Sequence, residues 1–388
     1  MKRTVGIAGA GLMGRLLAWR LARAGHRVTL VDRDTLSGRD SCSYVGAGMV
    51  TPFAEQEKAE PVVARMGSAS LELWGHWLPQ LPKPVFFQMT GSLVTAHRQD
   101  LHDLEAFRGR VQRKLDDPAQ MESLDAAALA DREPTLARRF GRALFFPNEG
   151  QLEPRELLPA LAEALRHLDV TWLSETEVHG VEPGVLDTSR GIHRFDTVVD
   201  CRGLGARGRM PSLRGVRGEL LRLYAPEVDL HRPVRLMHPR YPIYIAPRPD
   251  HHFIVGATQI ESEDMGALTV RSALELLSAV YSLDPAFGEA NVLESAVHCR
   301  PALPDNDPKV LHQEGLAEIN GLYRHGYLVA PILAEIAVDL IEDRSPRFEE
   351  VVQTTATPDP ASDSDGSSGE TAPSNNAQAA PIGGVTHD

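Results

Sequence analysis

The feature that most constrains this chain is the run Gly9-Ala10-Gly11-Leu12-Met13-Gly14, a G-x-G-x-x-G between an apolar β-type stretch and a helical repeat. The stretch is Thr4 to Ala8, and the repeat is Leu12, Leu16, Leu17, Ala18, Leu21 and Ala22, stopped at Gly25. A second short strand, Val28 to Val31, ends at Asp32. Strand, turn, helix and strand in that order open a doubly wound parallel sheet. Each glycine answers a separate demand. Gly9 permits the tight turn, Gly11 lets the backbone approach a pyrophosphate, and Gly14 lets the helix pack close to the strand. The helix N-terminus, with Leu12 and Met13 in its first turn, offers free N–H groups and a positive dipole end to an anion. Asp32, eighteen residues past Gly14, stands where an acid accepts from ribose hydroxyls. The turn alone does not separate NAD from FAD.

At 388 residues the chain exceeds the ~250–300 at which a single core stops growing, so two domains or an interleaved pair are expected. A net charge of −13 disfavours a phosphate backbone, which excludes nucleic acid as the main partner. Cys42, Cys201 and Cys299 are odd in number and scattered, without a C-x-x-C pair, and the histidines lack ligand spacing. Neither a disulfide framework nor a metal site is expected, and reduced thiols fit the cytoplasm. The basic Met1-Lys2-Arg3 ahead of an apolar run imitates a secretory signal, but Arg15, Arg20 and three glycines interrupt it. No stretch reaches the ~18 apolar residues of a membrane span, so no membrane partner is expected.

Residues 33–60 read as irregular, punctuated by Gly38, Gly46, Gly48 and Pro52. A helix is expected from Ala64 to Leu78, then paired strands at Val85–Phe87 and Ser92–Val94, then a charged helical region to about 130. Glu153 to Leu168 has Leu157, Leu158, Leu161, Leu165 and Leu168 on one side, an amphipathic helix. Short strands at Val170–Trp172 and Thr197–Val199 return to the sheet. Leu220–Tyr224, Tyr241–Pro247 and Phe253–Thr258 read as strands, Val270–Ser282 as a helix, and Gly321–Gly326 as a turn before the helix Leu328–Ile341. Beyond Val351 the chain is rich in Ser, Thr, Ala, Pro, Gly and Asp with no Lys or Arg, and is expected to be a disordered tail.

Several segments together carry a resemblance. Ser41-Cys42-Ser43 through Gly46-Ala47-Gly48-Met49 is a small-residue loop of the kind amino-acid oxidases lay against a flavin, and Gly203-Leu204-Gly205 follows the strand Val198 to Asp200 as a second glycine turn. That turn departs from the usual Ala-Ala-Gly form, having Cys201 and Arg202. Tyr244-Ile245-Ala246-Pro247-Arg248, Val255 to Thr258, Arg300-Pro301-Ala302-Leu303-Pro304-Asp305 and Tyr323-Arg324-His325-Gly326 through Pro331 then follow in order. Over residues 4–343 the chain resembles the glycine oxidases of thiamine biosynthesis, in the D-amino-acid oxidase family of FAD-dependent oxidoreductases.

The resemblance implies an α/β fold: a Rossmann-type FAD-binding domain interleaved with an antiparallel-sheet substrate domain, and a disordered C-terminal tail. The expected boundaries are 1–84, 141–217 and 298–350 for the first, 85–140 and 218–297 for the second, and 351–388 for the tail. It implies non-covalent FAD held by Gly9, Gly11, Leu12, Met13 and Gly14, by Asp32 and Arg33, and by Cys42, Ser43, Ala47, Gly48 and Met49. Val178, Gly203, Tyr323, His325, Gly326, Tyr327 and Leu328 complete that set, and Val178 corresponds to the position whose backbone meets the adenine. It implies that Arg300 binds a substrate carboxylate, with Arg324 beside it and Tyr244 over the pocket.

A planar guanidinium suits a carboxylate because it makes two parallel charge-assisted bonds. The competing role for either arginine is an internal salt bridge, for instance from Arg300 to Asp305; Tyr244 competes with a plain core aromatic, and Met49 with a gap-filler. Cys299 lies one place from the position, His298, at which related sarcosine oxidases attach their flavin. No Ser-His-Asp triad, Walker loop or carboxylate pair emerges, as suits chemistry in which hydride leaves the substrate Cα for the cofactor. The implied partners are a small amino acid or amine, O2, thiazole synthase as acceptor of the imine, and further copies of the chain in a homo-oligomer. Rivals are an oxidase of sarcosine or a D-amino acid, a flavin dehydrogenase reducing another carrier, and a non-catalytic FAD-binding protein.

Overall fold

Alternating side chains divide the first strands between two different layers. In Thr4–Ala8, Arg27–Val31 and Thr197–Asp200, Val5, Ile7, Val28, Leu30 and Val199 point to a large helical core, while Ala8, Val31 and Val198 point to a smaller cluster with Val181, Leu186 and Leu316. Both faces of this sheet are therefore apolar, as a parallel sheet covered on each side requires. Its seven strands run in the order 352–354, 309–313, 316–320, 197–200, 4–8, 27–31, 171–173. All neighbours are parallel except the hairpin of 309–313 with 316–320. Helices Leu12–Arg23, Pro61–Trp77, Pro154–His167 and Gly326–Ile341 cover one face, and the antiparallel meander 178–194 covers the other.

An eight-stranded sheet follows the order 291–302, 214–224, 252–256, 243–248, 234–237, 92–96, 143–146, 122–124, antiparallel except between 234–237 and 92–96. Here too the period of two sorts the side chains. Leu221, Leu223, Ile245, Phe253 and Val255 pack under helix Val270–Leu283, while Leu220, Ala246 and Ile254 meet Ala47 and Met49 from the first half of the chain. In this computed structural model the described residues are 1–237 and 242–355, and Met1–Thr355 forms one compact unit.

The α/β class and the interleaving match the expectation; several local assignments do not. Residues 33–60 contain two one-turn helices, Cys42–Val45 and Pro52–Glu55, and the strand Met49–Val50, all too short to leave a periodic pattern. Segments 85–87 and 92–94 do not pair with each other: Phe87–Gln88 joins Gly150–Leu152, and Ser92–Ala96 joins Ala143–Phe146. That last strand and the start of 214–224 fall within 141–217, and the end of 291–302 falls within 298–350, yet all three belong to the eight-stranded sheet. Val352–Thr354 is an edge strand beside Lys309–Gln313, so the start of the expected tail is ordered by a distant partner rather than by its own composition. Residues 356–388 of that tail, and Tyr241 of the strand expected at 241–247, lie outside the described residues.

Candidate active site

The C-terminal ends of the central parallel strands face the inner side of the eight-stranded sheet across a cavity of about 800 Å³. At one end lies the glycine turn. Gly9 has φ +97°, and a Cβ there would sit 2.7 Å from the Cys201 carbonyl oxygen. At Gly14 a Cβ would come within 1.8 Å of the Gly9 carbonyl oxygen, so the helix can sit this close to the turn only with glycine at that position. Gly11 differs: its φ is −68°, and a Cβ would meet only Ser43 Oγ, at 3.5 Å. Nothing within the protein requires that glycine, and the space beside it belongs to the cavity.

Several side chains brace the turn. Asp32 accepts from the Ala10 N–H and, at 2.7 Å, from the Asp34 N–H. Buried Arg15 donates to the carbonyls of Ala10 at 2.7 Å and Leu158 at 2.8 Å, and burial pulls its pKa down to about 10 against the pull of Asp32 and Asp34. Leu12 N–H donates to Ser43 Oγ at 3.1 Å, and Tyr327 Oη donates to the Ser43 carbonyl at 2.6 Å. The loop Ala47–Met49 is fixed from below by Arg248, which donates to the carbonyls of Ala47 at 2.6 Å and Leu152 at 2.9 Å and pairs with Glu153 at 2.9 Å. Gly48, at φ +66°, allows that loop to lie against the Leu152 carbonyl. The Val178 carbonyl already accepts from Arg202, whose guanidinium pairs with Asp200 at 2.7 Å.

At the other end stands Arg300, on the long strand Asn291–Ala302. Gly218 on the neighbouring strand makes room for it, since a Cβ there would lie 2.3 Å from Arg300 Nη2. Among the described residues its guanidinium meets no carboxylate; Nη1 donates to the carbonyl of Thr258 at 3.2 Å and to that of Arg217 at 3.5 Å. Asp305 pairs instead with Lys309 at 2.8 Å. Burial pushes the Arg300 guanidinium below its ordinary pKa, with Tyr244 pulling the other way. Arg324 is different: it is bound to Glu55 at 2.7 Å. Burial alone would raise the Glu55 carboxyl, but Arg324, His325 and Arg235 outweigh it and hold it down to about 2. Glu55 was hidden in the segment read as irregular, and no sequence signal joins it to a residue 269 positions away.

Of the remaining expected residues, Gly9, Gly11, Leu12, Met13, Asp32, Arg33, Cys42, Ser43, Ala47, Gly48 and Met49 line the cavity. So do Val178, Gly203, Tyr244, Tyr323, Gly326 and Tyr327. Gly14, His325 and Leu328 stand behind the wall. Gly14 seals the turn, Leu328 packs by Gly67, and buried His325 precedes the helix Gly326–Ile341 with Nδ1 3.8 Å from Glu55. Cys299 is buried and its thiol donates to the Ser262 carbonyl at 3.7 Å. Arg15, Gly218, Arg235 and Arg248 contribute to the site, and Lys58 lines its wall, although none of the five was read from the sequence as a site residue.

Comparison with known proteins gives a consistent result. The family model for FAD dependent oxidoreductases (DAO) matches residues 4–340. A Rhizobium etli protein bearing the name thiamine biosynthesis oxidoreductase ThiO is 43% identical over 87% of this chain and 96% of its own length. The bifunctional protein ThiO/ThiG of Nostoc is 29% identical over 89% of this chain, which spans 53% of that protein. Among solved structures, glycine oxidase from Geobacillus kaustophilus superposes with a TM-score of 0.79 at 25% identity, over 89% of this chain and 96% of the other.

Proposed function

Since the chain belongs to the DAO family of FAD-dependent oxidoreductases, we propose that it converts glycine, O2 and water to glyoxylate, ammonia and hydrogen peroxide. The imine formed on the way would feed the thiazole ring of thiamine, with thiazole synthase as its acceptor; the ThiO/ThiG protein of Nostoc supports that pairing. The observation that carries the reading is Arg300, a guanidinium at the cavity wall with no carboxylate partner among the described residues. Leaving such a charge desolvated and unpaired is costly, whereas a substrate carboxylate would meet its fork with two bonds.

The residues present fit FAD. The space beside Gly11 suits a pyrophosphate on the first turn of helix Leu12–Arg23, and Asp32 stands where a ribose would lie. We assign cofactor contacts to the lining residues of the glycine turn, Asp32, Arg33, Cys42, Ser43, Ala47–Met49, Val178, Gly203, Tyr323, Gly326 and Tyr327, with Gly14, His325 and Leu328 supporting from behind. FAD supplies the hydride acceptor. The chain's part is to orient the amine: Arg300 fixes the carboxylate, Tyr244 covers it, and the Glu55–Arg324 pair borders it. The buried Cys299 thiol, turned to the Ser262 carbonyl, supports non-covalent attachment. We take the seven-stranded half as the cofactor domain and the eight-stranded half as the substrate domain. Three free cysteines support a cytoplasmic setting.

The test is anaerobic addition of glycine, sarcosine and D-alanine to the yellow holoenzyme, in wild type and Arg300→Ala. Glycine should bleach wild-type flavin and release peroxide on re-aeration. Arg300→Ala should keep its flavin but bind glycine more weakly by roughly 2–5 kcal/mol, with partial rescue by Lys. Flavin that glycine leaves oxidised would sink the function; equal reduction of both proteins would sink the anchor.

A further inference from the structure

The substrate end of the cavity carries more positive charge than one carboxylate requires. Arg300, Arg324, Arg235 and Lys58 all line it, in a chain whose net charge is −13. Two of the four are paired: Arg324 with Glu55 at 2.7 Å, and Arg235 with Glu57 at 2.5 Å. Glu57 is shared with Arg110 at 2.8 Å, so one carboxylate serves two guanidinium groups. Arg300 and Lys58 have no carboxylate within ion-pair distance among the described residues. Both paired arginines engage their carboxylates through Nη2, and no partner is found for Nε or Nη1 among the described residues.

Arg300 and Arg324 share Tyr244 and Tyr323 as electrostatic neighbours, while Lys58 feels Glu57, Arg324, Arg235 and Glu55. Arg300 is half-buried and Lys58 exposed, which sets the first inside and the second at the mouth. Two cations without a carboxylate partner among the described residues, Arg300 and Lys58, thus share the cavity wall with two that are neutralised. Glycine has one carboxylate and satisfies only Arg300. We propose that Lys58, backed by Arg235 and Arg324, forms a second anion subsite, and that the cavity accepts amines carrying two carboxylates, one at Arg300 and one at Lys58.

The proposal rests on the amine-oxidase reading for turnover, though not for binding. The step is balanced in the ordinary way. Iminodiacetate, O2 and water would give glyoxylate, glycine and hydrogen peroxide, with one hydride leaving a Cα for the flavin and water cleaving the resulting C=N bond. An amine whose second carboxylate sits on its carbon skeleton, such as D-aspartate, has the same ion chemistry.

The experiment titrates the holoenzyme with acetate and with succinate, reading the flavin spectrum, in wild type, Lys58→Met and Lys58→Arg. Succinate should bind wild type more tightly than acetate does. Lys58→Met should weaken succinate by about three- to fivefold, as for a partly exposed ion pair, leave acetate unchanged, and be rescued by Lys58→Arg. Flavin bleaching by iminodiacetate and D-aspartate then decides whether the second carboxylate is carried on nitrogen or carbon. Succinate no tighter than acetate, or an equal loss for both in Lys58→Met, overturns the subsite. Normal titrations in a protein that no amine bleaches would leave the subsite standing and refute the oxidase reading.

Discussion

Two neighbouring carboxyls show how much a residue's surroundings decide. Glu55 ends the short helix Pro52–Glu55 and is held down to about 2, ionised as the partner of Arg324. Glu149 is fully buried beneath the same helix, with Oε1 accepting from the Phe53 N–H at 2.8 Å and the Ala54 N–H at 2.7 Å, and Oε2 bonded to the Ser92 hydroxyl. Burial raises its pKa to about 8, and the charge on Glu55 adds to the rise, against the pull of these hydrogen bonds. Environments that drive two carboxyls apart in this way fix which is charged at neutral pH. The consequence for stability has a definite sign. Between the carboxyl's ordinary value near 4.5 and about 8, the folded state keeps a proton that the unfolded chain has lost. Glu149 therefore contributes stability fully below pH 4.5, and that contribution is lost as pH rises through 8. Glu149→Gln cannot titrate and preserves both the acceptor and a hydrogen for Ser92, so it should gain on wild type from pH 5 to pH 9. Melting temperatures of the two proteins at pH 5, 7 and 9 check this; profiles that stay parallel would refute it.

At the scale of elements, the turn between the first strand and helix was legible because its constraint is local: positive φ and backbone contact admit only glycine at Gly9 and Gly14. Gly11 has a backbone any residue could adopt and an open side facing the cavity. Gly11→Val is thus expected to fold with near-normal melting in the flavin-free state, yet purify colourless, because its branched side chain would fill the space beside the turn. Flavin content and a melting curve together test it, and a yellow variant would mean the phosphates lie elsewhere. The loop Ala47–Met49 was legible only as a run of small residues. Its shape depends on Arg248, a buried cation whose five hydrogen bonds reach Ala47, Gln151, Leu152, Glu153 and its own neighbour Pro247. A strand motif that ends in Arg gives no hint of which loop the guanidinium will hold.

Across the whole molecule, the seven-stranded sheet gathers strands from residues 4 to 354, and its last edge is the segment Val352–Thr354. That edge pairs in parallel with Lys309–Gln313, and Thr355 N–H adds a bond to the His312 carbonyl at 3.0 Å. A chain ending at Val351 should therefore be less stable than one ending at Thr355, by about 2 kcal/mol for a few net ladder bonds. Denaturant midpoints of the two truncations provide the measurement, and equal midpoints would show the edge strand to be superfluous. The glycine turn, the α/β class and the amphipathic helices could be read from the chain because each is written in neighbouring residues, and the short motif at Arg300 was enough to mark it as a candidate anchor through the family resemblance. That Arg324 pairs with Glu55, that Gly218 clears space for Arg300, that Arg248 supports the loop and that residues 352–354 form a strand became visible only in the folded chain. Those are contacts between segments far apart in the chain, governed by packing and desolvation, and no local pattern of side chains encodes them.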